Sequence, residues 1–404
     1  MSTLLERVQQ TVAEQSLVQA GDVLVAAVSG GADSTAQACL LAELAPRLGA
    51  QLIGLAHLNH QLREAADTDE AFCRDLAGRL GVAFDTRRVD VRSEARVRKT
   101  SIEDAARTVR YLFLNEVAAD RGATLVAVGH TRDDQAETVL LRLIRGAGPA
   151  GLAAIYPRVG RVIRPLLDAR RTDVVAWLRE RGQPWREDES NQDRTIPRNK
   201  VRHELLPWLV EGFGAGVVDV LARQATLSRD DADWFDMVAT ETAARLVIED
   251  GASVTVEQAA LSSLHPAVGR RVVLDALRRA ANGRFVGFDH VEAVLALPAG
   301  GGVDLPGQRV ECRQGRLRFA AKAPDPAREG RRRGRPASAG RDDEEAIGAS
   351  MVSKAEGDRP GGDHRPDVGP EVEHRVELEP QANGGPRRAR SVSLEGHAPK
   401  GGRG

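Results

Sequence analysis

The sequence predicts an α/β fold. A doubly wound parallel sheet occupies residues 1–211, a mostly helical domain ending in short strands occupies 212–321, and a disordered tail covers 322–404. Three observations predict this. Between Asp22 and Ile144, short apolar runs of strand length alternate with amphipathic stretches of helical length, the pattern of a parallel sheet covered on both faces. From about Gly212 to Leu297 the periodicity is helical. After Ala321, Gly, Pro, Arg, Asp and Glu dominate and no aromatic residue occurs. Chain of that kind cannot bury enough surface to offset its ordering entropy.

The elements follow in order. Residues 1–18 carry apolar positions at helical spacing with acids interleaved; they lack the basic lead and continuous apolar centre of a secretory signal. Asp22–Val28 (DVLVAAV) reads as a buried strand, and Asp33–Leu48 as the helix after it. Gln51–Leu58 and Asp67–Leu80 repeat the pair, and Val82–Val89 is a third strand. Ser101–Ala119 is a long helix, Thr124–Val128 a fourth strand, and Asp133–Ile144 the next helix, with Asp133 as its natural N-cap. A Gly/Pro-rich loop leads to a strand at Arg161–Arg164 and a helix at Arg170–Arg181, and a further helix begins near Pro197. In the second domain Trp234, Phe235 and Phe288 are core candidates, and Val303–Phe319 reads as two or three short strands.

Composition narrows the classes. Apolar residues make up 42% of the chain, enough for sizeable cores. The net charge of −1 gives no global basic signature of a nucleic-acid binder, although a local basic face suffices for one. Cys39, Cys73 and Cys312 are dispersed and none lies in a C-x-x-C, so they read as small buried hydrophobes rather than disulfide partners or metal ligands. No stretch approaches the apolar length of a membrane span, so no membrane partner is expected and the reducing cytoplasm is the expected location.

The first strand runs directly into Ser29-Gly30-Gly31-Ala32-Asp33-Ser34 and then a helix. Glycines allow a tight turn and close approach, and the helix start offers free N–H groups and the positive end of its dipole. Ser29 and Ser34 add hydroxyl donors. A plain glycine turn capped by Asp33 and Ser34 is the competing reading; the strand before and helix after favour phosphate. The charge of Asp33 would repel phosphate unless Mg²⁺ lay between them. Neither a Walker A loop nor a dinucleotide G-x-G-x-x-G is present here.

Four further segments stand beside it. His57-Leu58-Asn59-His60-Gln61-Leu62-Arg63 ends the second strand. Glu103, Arg107 and Arg110 share a helix face, which alone is most often a solvated salt-bridge face. After the fourth strand, Gly129-His130-Thr131-Arg132-Asp133-Asp134-Gln135-Ala136-Glu137 places Asp134 and Glu137 three apart, so that both carboxylates can converge and would then call for a cation; taken alone, acids that stabilise the dipole at a helix start are the stronger reading. Finally, Glu187–Asp193 leads into Arg198-Asn199-Lys200-Val201-Arg202, with two arginines one turn apart.

The loop resembles that of the PP-loop ATP-pyrophosphatases, and the four segments in this order resemble the tRNA(Ile)-lysidine synthetases, over Val23–Pro207 strongly and more weakly to about Phe319. The resemblance implies a Rossmann-like, adenine nucleotide alpha hydrolase-like sheet. It implies that ATP sits on Ser29, Gly30, Gly31, Ala32, Asp33, Ser34 and His57, with Mg²⁺ on Asp33, Arg110 facing the pyrophosphate and His130 by the phosphates. L-lysine would bind Asp134 and Glu137, and Arg198 and Arg202 would contact the tRNA phosphate or the activated base. The implied partner is tRNA(Ile) with a CAU anticodon, whose first anticodon cytidine would be adenylylated at its C2 oxygen and then attacked by lysine; a homodimer is compatible with the family. A tRNA 2-thiolase of the same family would need a catalytic cysteine or iron–sulfur ligands, which neither Cys39 nor Cys73 matches. A non-catalytic ATP- and RNA-binding module would have no need of Asp33, Asp134 and Glu137 together.

Overall fold

The computed structural model describes residues 3–61, 66–187, 193–251, 253–280 and 286–322. The tail read as disordered lies, beyond Lys322, outside the described residues, as do Leu62, Arg63 and residues 188–192 of the sequence motifs.

Helix α1 (Leu4–Glu14) begins with a capping box: Glu6 N–H donates to Thr3 Oγ1, and Thr3 N–H donates to the Glu6 carboxylate. Strand β1 (Val23–Ala27) is the centre of the first sheet. Its alternation divides it between two cores. Leu24 and Ala26 pack with α2 (Ala32–Arg47), α3 (Ala66–Leu80) and α8 (Arg171–Glu180), whereas Val25 and Ala27 pack with α5 (Ile102–Asp120).

The six strands lie in the order β3-β2-β1-β4-β6-β5, with β2 at Gln51–Asn59, β3 at Ala83–Arg88, β4 at Leu125–Ala127, β5 at Arg158–Val159 and β6 at Val162–Ile163. All neighbours are parallel except β5 and β6. The chain builds outward from β1 through β2 to β3, then returns to place β4 on the other side of β1. That reversal between β1 and β4 opens a crevice at their carboxyl ends, where ligands bind in such sheets. Helix α4 (Val91–Arg98), not foreseen, is capped by Asp90, whose Oδ1 accepts from Arg92 N and Ser93 N. The Gly/Pro-rich loop holds a one-turn helix, α7 (Pro149–Leu152), and β5.

Helix α6 (Arg132–Ile144) follows β4, and α9 (Pro197–Lys200) continues through a π-helical turn (Val201–Leu205) into α10 (Leu206–Phe213). The thirty-residue α11 (Val217–Leu246) then leads to a second, antiparallel sheet in the order β7-β8-β11-β10-β9. These are β7 (Val247–Asp250), β8 (Ser253–Glu257), β9 (Gly302–Leu305), β10 (Gln308–Arg313) and β11 (Arg316–Ala321), accompanied by α12 (Gln258–Ser262), α13 (Pro266–Ala280) and α14 (Phe288–Leu295). This sheet has its own core, including Val272, Val273, Leu277, Val310 and Phe319.

Two expectations for this region are corrected. Residues 247–257 form two strands rather than helix, turned at Gly251 with φ +58°. Trp234 and Phe288 are not core residues: they are 56% and 66% exposed, while Phe235 is half-buried beneath the Arg271 guanidinium. Among the described residues no single helix is long and apolar enough to cross a membrane.

Candidate active site

The cradle at the end of β1 is built from backbone. Gly30 adopts φ +87°, which turns the strand into α2. The Gly31 N-cap supplies no side chain, so the first N–H groups of α2 are left without a side-chain cap. Ser34 Oγ accepts from Ser29 N at 3.1 Å, lies 3.2 Å from Ser29 Oγ and donates to Gly31 O at 3.1 Å, closing the loop on itself. Thr35 Oγ1 and Arg186 N both donate to Gly30 O, at 3.2 and 2.8 Å.

Gly129, at the end of β4, presses its backbone against this cradle. A Cβ there would lie 3.1 Å from Asp33 C, Ser34 Cα and Ser34 N, all of them main-chain atoms. Gly129→Ala must therefore push the β4 turn away from the start of α2, at a cost of roughly 1–3 kcal/mol. The expected result is a folded chain whose affinity for ATP falls at least about tenfold, measured by equilibrium binding. Unchanged affinity would show that the crevice does not depend on this contact.

Asp33 is the second residue of α2, and its carboxylate is nearly enclosed. Oδ2 pairs with Arg171 Nη2 at 3.2 Å, and Oδ1 is buried without a hydrogen-bond partner. Burial pushes its carboxyl up to about 6; Arg171 pulls it back, and Asp134 opposes that pull. An orphaned, desolvated carboxylate oxygen beside an anion cradle fits a hard divalent cation.

The cap of α6 is Thr131, not Asp133. Thr131 Oγ1 accepts from Asp134 N, and Asp134 Oδ2 accepts from Thr131 N at 2.8 Å. Asp133 instead accepts from Arg171 N at 2.7 Å, tying α6 to the start of α8. Asp134 and Glu137 converge as their spacing implies, and Arg198 and Arg202 converge on both. Asp134 Oδ1 accepts from Arg198 Nη2 at 3.1 Å and Arg202 Nη2 at 2.9 Å. Glu137 Oε1 accepts from Arg202 Nε at 2.5 Å, and Oε2 from Arg198 Nε and Arg202 Nη2 at 3.1 and 2.9 Å. Glu137 is 1% exposed. Burial would raise the Asp134 carboxyl, but the Arg198 and Arg202 guanidiniums overcome it and hold the group well below the usual range. Arg202 sits on the π-helical turn, a backbone irregularity often found at functional sites.

The third group surrounds His130. Burial favours the neutral forms of His57, His60 and His130, and Arg110, reaching this edge from α5, adds to it. His57 ends β2 in a buried position, with Nδ1 3.0 Å from Val28 O and Nε2 without a partner. Burial, then Arg110, pushes His60 down to about 4. Three residues escaped sequence reasoning here. Arg164, buried at the end of β6, donates to His130 Nδ1; Arg171 pairs with Asp33; Arg186 covers Gly30 and donates from Nε to Asp69. A charged residue closing the apolar run Val162-Ile163 at the ligand edge was a signal for the first of these.

The thiols have no such setting. All three cysteines are free, Cys73 and Cys312 are buried, and burial pushes the Cys39 and Cys73 thiols up to about 11 and about 12. The Cys39 and Cys73 thiols are therefore protonated, poor nucleophiles at neutral pH.

Residues 2–209 match the family model described as the PP-loop domain. The chain is 36% identical over 317 residues to the tRNA(Ile)-lysidine synthase of Dehalococcoides mccartyi, covering 75% of this chain and 67% of that one. It is 39% identical over 302 residues to that of Geobacter sulfurreducens, covering 73% and 63%. It is 40% identical over 314 residues to that of Cutibacterium acnes, covering 77% and 95%. The matched region thus spans about two thirds of the first two relatives and nearly all of the third.

Proposed function

This chain belongs to the PP-loop family and, within it, to the tRNA(Ile)-lysidine synthases, and from that we propose that it uses ATP to ligate lysine to the C2 of the first anticodon cytidine of CAU-anticodon tRNA(Ile). The observation that carries the proposal is the meeting, at one crevice, of an anion cradle with a buried carboxylate pair. Binding RNA alone requires neither an orphaned Asp33 oxygen nor that pair.

In the proposed reaction the cytidine C2 oxygen attacks the α-phosphorus of ATP and pyrophosphate leaves. The lysine ε-amine then attacks C2, the C–O bond to AMP breaks, and the amine proton passes to solvent or a carboxylate. Ser29, Ser34 and the first amides of α2 would hold the phosphates, with His57 at the nucleotide's side of the crevice and Arg110 facing the leaving pyrophosphate. Asp33 would hold Mg²⁺, which when bound neutralises charge on that leaving group. An unpaired anticodon base can be splayed into such a crevice.

Asp134 and Glu137 would bind lysine and Arg198 and Arg202 the tRNA, but each oxygen of that carboxylate pair already accepts a hydrogen bond. We therefore place the two substrates in exchange: the lysine ammonium takes over a guanidinium's position as that guanidinium turns to RNA phosphate. A 2-thiolase reading is not favoured, since of the thiols nearest this sheet Cys73 is buried, Cys39 is half-buried, and both are protonated.

The test is transfer of labelled lysine to a CAU-anticodon tRNA(Ile) transcript in the presence of ATP and Mg²⁺. ATP-dependent transfer to tRNA(Ile) is the expected result. ATP cleavage to AMP and pyrophosphate with tRNA present but no lysine transferred would keep the adenylylation and sink the lysine assignment.

A further inference from the structure

We propose that Arg164 is a positioning residue that holds His130 as a neutral imidazole with its proton on Nε2, so that His130 serves the crevice as a hydrogen-bond donor and not as the base. Arg164 is 5% exposed at the carboxyl end of β6. Its Nε lies 3.2 Å from His130 Nδ1, its Nη1 donates to Tyr156 O at 2.7 Å, and it hydrogen-bonds the Tyr111 phenol. A guanidinium has five donors and no acceptor. Only a lone pair on Nδ1 can complete the contact, so the single proton of the neutral ring is on Nε2.

A second proton is opposed from several sides. Burial comes first; Arg164 from β6, Arg198 from α9 and Arg110 from α5 then face the ring, against the one carboxylate of Asp134 on α6. Arg164 itself forms no ion pair among the described residues. Burying a guanidinium without a carboxylate is costly, and here its donors go to an imidazole, a carbonyl and a phenol. Such an arrangement orients a ring; it does not neutralise a charge. His57 has the opposite form, since its Nδ1 meets the Val28 carbonyl and must carry the proton. The crevice thus holds one imidazole that donates from Nε2 and one that accepts there.

His130 directly follows Gly129, whose backbone lies against Asp33 and Ser34, so the residue enters the crevice next to the anion cradle. That the donor meets a phosphate oxygen rests on the function proposed above; the tautomer does not. The consequence for catalysis is that the proton of the attacking amine goes to some group other than His130.

Imidazole ¹⁵N NMR on the full chain tests the claim, with His130→Asn identifying the signal. Wild-type His130 should be neutral with Nε2 protonated from about pH 6 to 8. A protonated ring, or a proton on Nδ1, overturns the proposal without any variant. In Arg164→Ala the ring should sample both tautomers while staying neutral, because burial, Arg198 and Arg110 still oppose a second proton, whereas Arg164→Gln, which keeps an uncharged donor, should retain the tautomer. Lysine transfer should fall roughly 10²-fold in kcat for Arg164→Ala with the KM for lysine unchanged. Adding Arg164→Ala to His130→Ala should cost less than about twofold more; full additivity would mean that Arg164 acts independently of His130. If wild type transfers no lysine, the proposed function fails, and the NMR result still decides the role of Arg164.

Discussion

Asp33→Asn should melt higher than wild type in the absence of nucleotide and should transfer lysine at least about 10³-fold more slowly. Both effects have one source. Burial lifts the folded-state carboxyl from 3.8 to about 6, so the folded chain binds this proton more tightly than the unfolded chain does. Stability therefore falls as pH rises from about 4 to about 6, and the full penalty applies above that range. Two pH units correspond to about 3 kcal/mol, and asparagine, which carries no charge, avoids it. Arg171 loses its partner in the variant but is half-exposed and can hydrate. A gain of several degrees in Tm at pH 8, shrinking towards pH 4, is the expected calorimetric result. A variant that melts lower at pH 8, or that still transfers lysine, would refute the assignment of Asp33 as a strained functional carboxylate.

Arg202→Ala should be among the most damaging single substitutions for stability. It strips Glu137, at 1% exposure, of its two closest hydrogen bonds and leaves Asp134 and Glu137 to share Arg198. Removing one partner from a buried ion cluster costs about 3–5 kcal/mol, because the remaining charge is left uncompensated. Arg198→Ala should cost less, since that side chain is 31% exposed and its carboxylates would retain Arg202. The gap between wild type and Arg202→Ala should also narrow in acid. The Asp134 carboxyl is held below its ordinary value, so its contribution is present at neutral pH and lost as pH falls below about 4. Urea midpoints for the three chains at pH 7 and pH 3.5 measure all of this. An Arg202→Ala chain as stable as wild type at pH 7 would mean that the four-charge cluster does not support the fold.

The first sheet was legible because its signals are local. An apolar run of strand length followed by a glycine turn and an amphipathic stretch reads the same whatever surrounds it, and β1 to β4 were placed within about a residue of their observed ends. The convergence of Asp134 and Glu137 followed from helix geometry alone. Their partners did not, because Arg198 and Arg202 reach them across more than sixty positions of chain. Arg164 was invisible as a site residue for the same reason: its meaning comes from His130, thirty-four positions away. The strands at 247–257 were missed despite a usable signal. Val254 and Val256 are buried on alternate positions and Gly251 marks a turn, but the helical pattern on either side was carried through them. Trp234 and Phe288 show the limit of residue type as a guide to burial: both lie near solvent, Phe288 beneath the Arg270 guanidinium and Trp234 edge-on to Phe235.

Helix α11 has a consequence for how this chain can vary. Its early turns are fixed to the first sheet's side by Asp219, which accepts from Arg132, and by Arg229, which donates to Ile155 O. Its later turns meet α13, where Asp236 accepts from Arg271. Both sets of contacts are read off one uninterrupted helix about 45 Å long. The helix therefore works as a ruler with a phase. Deleting one residue between Arg229 and Asp236 would shorten the span by only about 1.5 Å but turn everything beyond it by roughly 100°. Seven residues inserted there would lengthen the span by about 10 Å and restore the original facing almost fully. Length changes in this helix should thus be tolerated in heptad steps, and the spacing of the two sheets can change by increments while their mutual orientation cannot.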